Sequence, residues 1–297
     1  MANNLGGAAK KFTARLDKII EAEAKTSFLN MNSDLVGELK GNGEVEIAKI
    51  AMDGLGDYDR AVGFPAGSVT LDWETVKLNY ERAREFEVDV MDDEERELVV
   101  SANLMAEFAR AKVVPEVDAI RFSKLTEKAG VKKAETFADA DAALDAVLLA
   151  EEALQDAGAQ LSTCKLCLTS HMKTLLRKAQ PWRIGQGEAP NGNFDTFDEM
   201  QLIVVPGNRF FTAIDLLDGK TTGEEAGGYK QAAAGVPINF MAIHPSAAAV
   251  LNKHEKLRYF SPDVNQDKEA HKWQYRLFHD VFVYENKAGL IYSSYKA

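Results

Sequence analysis

The feature that most constrains the fold is a long segment in which polar and apolar residues alternate. The alternation runs through Ser68–Glu74 and again through Arg84–Val90, and Glu44–Ile47 has the same strand-like character. A period of two is typical of β-strands with one buried and one solvated face. Residues 51–67, between the first two strand-like runs, hold four glycines and one proline, which favour a turn. The sequence therefore predicts an extended β element over 44–90 with a looped tip.

This element also contains a dense charged motif. Arg82-Ala83-Arg84-Glu85 lies within it, and Glu81, Glu87 and Asp89 are close by. One interpretation is a solvated charged face that needs no function. The other is a contact between copies of the chain, because bidentate arginine–carboxylate pairs would fix the register of two subunits.

The N-terminal residues predict an arm that lies outside any compact domain. Residues 8–29 place apolar side chains, including Phe12 and Leu16, at helical spacing. Glycines at 37, 41 and 43 then loosen the chain before the first strand-like run. An amphipathic arm helix and a two-stranded projection share one requirement. Neither is stable alone, so each needs a neighbouring surface to bury its apolar side.

Further helices are predicted beyond the projection. The four acids at 92–95 suit the positive end of a helix dipole and begin a long helix over about 93–113. Pro115 interrupts or kinks this helix, and a second helical piece ends near Gly130. Residues 139–157 are rich in Ala and Leu and predict another helix. The remainder alternates short apolar runs with Gly- and Pro-bearing connections, which indicates an α+β fold.

Composition excludes several classes of protein. No stretch approaches the roughly 20 apolar residues that a membrane-spanning helix needs, and the N-terminus lacks a signal-peptide pattern, so we expect a cytoplasmic protein without membrane contact. A formal net charge of −11 opposes a broad nucleic-acid-binding surface. The two cysteines, Cys164 and Cys167, are expected to stay as thiols in a reducing cytoplasm.

Motifs for catalysis or metal binding are weak. Cys164, Cys167 and His171 have a C-x2-C-x3-H spacing that could supply three zinc ligands, which leaves a soluble metalloenzyme as one alternative. The run Leu161–Leu168 fits a buried strand better, in which thiols are ordinary core groups. The glycines at 185, 187, 192 and 207 lack the strand–loop–helix order of a cofactor loop, so a surface loop is predicted there. His279-Asp280 has no accompanying catalytic motif. We therefore expect no enzyme activity, no cofactor and no metal.

Several segments resemble tailed-bacteriophage major capsid proteins of the Hong Kong 97 fold. They are Tyr58–Phe64, Gly67–Thr75 and Arg82–Glu95 (RAREFEVDVMDDEE), followed by Leu104–Arg110, Val113–Ala119, Phe240–Pro245 and His279–Tyr292. The resemblance covers nearly the whole chain and is strongest over 56–122.

The resemblance implies a division of the chain. The parts would be an N-terminal arm (1–43), an extended β-hairpin called the E-loop (44–91), a peripheral domain with a long spine helix (92–138 and 276–297), and an axial domain (139–275). Side chains on the arm and the E-loop would contact neighbouring subunits. The residues expected in these contacts are Phe12, Leu16, Arg60, Trp73, Lys77, Arg82, Arg84 and Glu85.

The resemblance also implies a function. The chain would self-assemble as hexamers and pentamers into the icosahedral head of a virion, after assembly in the host cytoplasm. It would enclose double-stranded DNA without sequence-specific binding. Its partners would be a portal protein and a separate scaffolding protein, with a decoration protein as a further candidate. A separate scaffolding protein is expected because no fused scaffolding segment precedes the arm. The alternative with the same fold is an encapsulin-type compartment that holds a cargo enzyme.

Overall fold

A computed structural model describes residues 23–30, 36–40, 44–58, 60, 63–91, 99–189 and 192–297. Most of the predicted arm helix, with Phe12 and Leu16, lies outside these residues. Within them the helices are α1 (Val99–Phe108), α2 (Val114–Lys128), α3 (Ala140–Asp156) and α4 (Ser170–Ala179). The strands are β1 (Val36–Lys40), β2 (Glu44–Met52), β3 (Val69–Lys77), β4 (Tyr80–Asp89), β5 (Val131–Ala134), β6 (Lys165–Leu168), β7 (Ile184–Ala189), β8 (Gly192–Phe197), β9 (Met200–Val204), β10 (Ile214–Leu217), β11 (Gly228–Gln231), β12 (Ile238–Ile243), β13 (Ala248–Phe260), β14 (Ala270–Val283) and β15 (Ile291–Tyr295).

The long helix changes its winding where the sequence places a proline. α1 passes into one wide π-helical turn, Ala109–Val113, in which the Val114 amide donates to the Ala109 carbonyl. Pro115 lies in the first turn of α2, where a missing N–H is tolerated. The predicted interruption at Pro115 is therefore confirmed. The predicted helix over 139–157 is confirmed as α3, which Asp139 caps by accepting a hydrogen bond from the Ala142 amide.

The largest sheet has the strand order β5-β15-β12-β6-β9-β8-β7. Side chains alternate between its two faces, as strand geometry requires. Leu166 and Phe240 pack on one face with the buried sides of α3 and α4. Cys167 and Met241 pack on the other face with α2 and the adjoining ends of β13 and β14. The central strands of the sheet are thus covered on both faces, in agreement with the predicted α+β class.

The glycine-rich segment around residue 187 was predicted to be a surface loop, and this prediction is wrong. Gly185 and Gly187 lie in β7, which pairs with β8 in an antiparallel hairpin. The ring of Phe194 lies directly over Gly187, so a larger residue at that position would collide with it. Glycine is used here because an aromatic side chain from the partner strand occupies the space above the backbone.

A second sheet, with the order β13-β14-β4, supports the long helix. Trp273, Tyr275 and Leu277 alternate along β14 and point towards one face. They pack there with side chains of α1, the π-helical turn and α2, including Met105 and Val117. This packing holds β4 and β14 against the long helix.

The predicted β element is divided between two sheets. β1, β2 and β3 form an antiparallel sheet of their own, in which Glu44 is opposite Lys77 and Met52 is opposite Val69. The alternating run at 84–90 belongs instead to β4, which pairs with β14 and not with the hairpin. The division falls at Leu78, which is buried in a small cluster with residues of β13. In the part of the chain that the structure describes, no helix is long and apolar enough to cross a membrane.

Candidate assembly surfaces

The hairpin tip, defined here as residues 52–71, exposes many of the described large apolar side chains. Met52 is 72% exposed, Phe64 is 88% exposed, and Leu55 is fully exposed. Tyr58 and Phe64 contact each other edge to face, with ring centroids 5.0 Å apart. Soluble monomers rarely leave such a patch uncovered, so it indicates a contact with another molecule.

The base of the hairpin is anchored by one buried carboxylate. Asp280 is 1% exposed and accepts hydrogen bonds from the amide and the side chain of Asn79, each at 3.2 Å. Lys124 of α2 forms an ion pair with the same carboxylate at 2.7 Å. The negative charge is therefore compensated in the interior, and the hairpin leaves the body from a fixed point.

His279, next to Asp280, is buried among cations. Desolvation first, and then the charges of Arg121, Lys124 and Arg82, lower its pKa from 6.5 to about 3. Its ring is consequently neutral over the physiological range. Asp280, the other residue of this dipeptide, holds the hairpin base through Asn79 and Lys124.

Arg82 and Arg84 hold the β10–β11 hairpin against β4. Arg82 forms an ion pair with Glu116 at 2.5 Å and donates to the carbonyls of Leu217 and Gly228. Arg84 donates to the carbonyl of Glu225 at 3.2 Å. Both guanidinium groups thus have contacts within their own chain.

Glu85 lies on the opposite face of β4, in a row of charges that are matched across the strands. It pairs with Lys272 at 3.2 Å and accepts a hydrogen bond from Gln274. Lys272 also pairs with Glu87, and Arg276 pairs with Glu81. These cross-strand pairs set the register of β4 against β14.

The other residues expected in subunit contacts lie on the projecting parts. Arg60 is exposed in the hairpin tip, and Lys77 is exposed at its base. Trp73 is on β3, opposite Ala48 in the register of β2 and β3. Arg82, Arg84 and Glu85 lie together on β4. Arg60, Trp73 and Lys77 lie along the hairpin, between its tip and its base.

Sequence reasoning missed the anchor of the arm. Thr26 is buried and donates to Asp118 through its hydroxyl at 2.8 Å, and Arg209 pairs with Asp118 at 3.0 Å. Arg121 in turn donates to the Thr26 hydroxyl. The only sequence clue was an acid and an arginine within the apolar pattern of α2. This network fixes residues 23–30 along one side of α2.

The three residues of the zinc alternative do not meet. Cys164 and Cys167 are buried in core clusters on opposite faces of the large sheet, and His171 is exposed on α4. Burial raises the pKa of the Cys164 thiol to about 11, and that of Cys167 still further. No three His, Cys, Asp or Glu side chains among the described residues are grouped in a way that could hold a metal ion. The thiols therefore serve as core groups, as the buried-strand interpretation expected.

Comparisons of this architecture with solved structures identify its fold. The mature capsid of bacteriophage PhiM1 has a TM-score of 0.57 and 12% identity, covering 88% of this chain and 87% of that chain. The capsid of cyanophage P-SCSP1u has a TM-score of 0.56 and 9% identity, covering 88% and 85%. The chain has the Hong Kong 97 fold.

A third structure with this fold is a virus-like particle from Pyrococcus furiosus. Its TM-score is 0.55 at 10% identity, and the alignment covers 98% of this chain and 99% of that chain. No protein-family model matches the sequence, and no curated protein sequence matches it. The Hong Kong 97 fold expected from the sequence is therefore confirmed through structure, while identities at this level show the fold alone.

Proposed function

We propose that this chain is the major capsid protein of a tailed bacteriophage, a structural subunit without enzymatic activity or cofactor. The observation that carries the proposal is the exposed apolar hairpin tip on a Hong Kong 97 fold. Such a tip needs a covering surface, and the segments that resemble phage capsid proteins include it. Hexamers and pentamers of the chain would build the icosahedral head that encloses double-stranded DNA.

Under this proposal the shell is held together by overlapping contacts between adjacent copies of the chain. The hairpin and the arm of each copy would overlap adjacent copies, while the axial domains would meet around the capsomer axes. Each contact is modest, but a closed shell repeats it many times, and multivalency makes the sum stable. Under this proposal Phe12, Leu16, Arg60, Trp73 and Lys77 are direct contact residues.

The motif on β4 takes part in the same proposal. Arg84 and Glu85 remain exposed beside their partners within the chain, so they can extend their charge pairs to a neighbour. Arg82 is more enclosed and contributes mainly by holding β10–β11. The division into arm, E-loop, peripheral and axial domains at the boundaries given above is part of the proposal.

The proposed partners follow from this role. They are further copies of the chain, a portal protein, a scaffolding protein during assembly in the host cytoplasm, and a decoration protein as an additional candidate. The formal net charge of −11 supports a wall that encloses DNA without holding it tightly, because phosphate binding depends on clustered cations. The mature location would be the virion head.

A cargo compartment would use the same fold, so the fold does not separate it from a phage head. Genes for a terminase and a portal beside this one would support the phage head. A neighbouring peroxidase or ferritin-like gene would support the compartment.

Assembly can be tested with one deletion in the hairpin. Residues 53–67 would be replaced by a short Gly-Ser turn that joins β2 to β3. We expect the unaltered chain to elute as capsomers or shells in size-exclusion chromatography with light scattering. The shortened chain should keep its circular dichroism spectrum and elute as small species. A compact monomer from the unaltered chain, with and without its neighbouring scaffold candidate, would contradict the proposal.

A further inference from the structure

A cleft of about 540 Å³ lies beside β4, between the π-helical turn and the β10–β11 hairpin. We call it the β4 cleft. Its floor is aromatic, because Phe86 and Phe108 meet edge to face at 4.8 Å and Tyr275 lies beside Phe108 at 6.1 Å. Pockets of roughly 300–1,000 Å³ that combine an apolar floor with a few placed polar groups are typical of small-molecule sites. The β4 cleft therefore has the size and the floor of a site for one planar organic ligand.

Four cations and two acids line the β4 cleft, and most of these charges are already compensated. Arg82 pairs with Glu116 at 2.5 Å, and Lys230 pairs at 3.7 Å with Glu224, an acid just outside the lining. Asp218 accepts hydrogen bonds from its own loop. With Glu224 included, four cations face three acids, which leaves the cleft with an excess of positive charge.

Two cations at the rim of the cleft remain for a ligand. Lys112 of the π-helical turn is exposed and has no hydrogen bond or ion pair with any residue that the structure describes. Arg84 of β4 is exposed and donates to the carbonyl of Glu225 at 3.2 Å. Its guanidinium lies against Gly219 and Gly227, where an added Cβ atom would be 3.1 and 3.6 Å from Nη1. The two glycines thus leave room for a positioned arginine, and an anionic ligand group would find charged donors at this rim.

The inner end of the cleft carries a polar atom without a partner. His279 is only 1% exposed and still lines the cleft, so its ring lies at the inner end. Its Nδ1 atom has no hydrogen-bond partner among the residues that the structure describes. Because burial and neighbouring cations lower the pKa of His279 to about 3, the ring is neutral and has one donor and one acceptor nitrogen. Leaving a buried polar atom unpaired costs free energy, and a ligand with a polar edge would remove that cost.

These features together indicate the chemistry of the ligand. An aromatic floor suits a planar ring, a neutral histidine suits a ring edge that forms hydrogen bonds, and exposed cations suit a phosphate. A nucleobase has both a flat face and a hydrogen-bonding edge, and proteins commonly bind its face with aromatic side chains. A nucleoside phosphate joins such a base to an anion within one small molecule.

We propose that the β4 cleft binds a nucleoside monophosphate, with the base on the aromatic floor, the base edge towards His279 and the phosphate at the rim with Lys112 and Arg84. The source is either a free nucleotide or a nucleotide of a single strand, since both present the same groups. The bases of duplex DNA are paired and stacked, so they do not enter. All the lining residues belong to one chain, and the inference therefore goes beyond the proposed capsid function and does not depend on it.

Equilibrium dialysis of the full-length chain with radiolabelled adenosine monophosphate tests the site. Unlabelled adenosine and inorganic phosphate are the two halves of this probe. We expect each half to compete about tenfold more weakly than the unlabelled nucleotide, because each lacks the contacts of the other half. No bound label at millimolar nucleotide, or phosphate that competes as well as the nucleotide, would overturn the proposal.

Variants separate the phosphate contact from the base contact. Lys112→Gln should bind the labelled nucleotide about tenfold more weakly and labelled adenosine as before, because the lost hydrogen bond is a charged one to phosphate. The matched control, Lys220→Gln, removes an exposed lysine that does not line the cleft and should bind like the unaltered chain. Phe86→Leu should weaken the binding of both labelled ligands while the circular dichroism spectrum is kept. Equal nucleotide affinity in all three variants would refute the assignment.

Photolabelling locates the ligand, and competitors identify its source. An azidoadenosine monophosphate should label peptides that contain Phe108 or Tyr275 in mass spectrometry, and label confined to other peptides would overturn the site. Competition by a single-stranded oligonucleotide, but not by its duplex, would assign the site to a strand. Competition by neither would assign it to a free nucleotide.

Discussion

Glu151 provides the sharpest test of the packing between α3 and the large sheet. It is 8% exposed, and one of its carboxylate oxygens, Oε1, has no hydrogen-bond partner. The turn between β8 and β9 places Asp198 and Glu199 near it. Among the described residues, Arg183 is the cation that lowers the pKa of Glu151, and it already pairs with Asp198 at 2.7 Å. Desolvation first, and then the charge of Asp198, raise the pKa of Glu151 from 4.5 to about 7.

The sign and size of the effect on stability follow from proton linkage. The folded state binds the proton of Glu151 more tightly than the unfolded state does, so stability falls as pH rises from 4.5 towards 7. Each pKa unit corresponds to about 1.4 kcal/mol, so the ionised carboxylate costs the fold roughly 3 kcal/mol above pH 8. Glutamine carries no charge at any pH. Allowing about 1 kcal/mol for burying its amide, Glu151→Gln should stabilise the protein by about 2 kcal/mol at pH 8.

The assay is denaturant unfolding of unassembled protein between pH 5 and 8.5. The variant should gain stability relative to the unaltered chain only in the upper half of this range. Glu152→Gln, at the next position of α3 but exposed, is the matched control and should show no such gain. The reasoning is refuted if Glu151→Gln and the unaltered chain lose stability in parallel above pH 6, or if the control behaves like the variant.

Three further predictions concern the hairpin and the charge balance. Asp280→Ala should destabilise the fold by about 3 kcal/mol in denaturant unfolding, because it leaves Lys124 without its buried partner; an effect near zero would contradict the anchor. Replacing Leu55 and Phe64 with Ser should change unfolding by less than about 0.5 kcal/mol, since both side chains are exposed, but should abolish particles in light scattering. Isolated capsomers should bind DNA weakly in filter-binding assays. A strong, salt-sensitive affinity would contradict the proposal that the shell encloses DNA without binding it tightly.

Periodicity in the sequence predicted the elements whose burial follows a regular pattern. The alternating run at 68–74 became β3, and the Ala-rich segment became α3, because one face of each repeats at the period of its structure. Pro115 marked the change of helical winding because it lacks an N–H. These features depend on local chemistry, so one sequence is sufficient to reveal them.

Long-range contacts were not predictable in the same way. The pairing of β4 with β14 joins residues nearly 200 positions apart, and alternation in β4 alone does not state which strand it meets. Gly187 looked like a loop residue because Phe194, which fills the space above it, is on another strand. The Thr26–Asp118 network likewise depends on two distant segments that meet only in the fold.

The candidate surfaces were predicted in part. The sequence indicated a projecting hairpin, yet it did not show that Arg82 and Arg84 brace β10–β11 within their own chain.

The most direct test of the central claim is cryo-electron microscopy of the chain produced alone and together with its scaffold candidate. The account predicts closed icosahedral shells or capsomer rings, in which the hairpin tip of each copy lies on an adjacent copy. A monodisperse monomer under both conditions, with the tip exposed to solvent, would contradict the claim that this chain is a shell subunit.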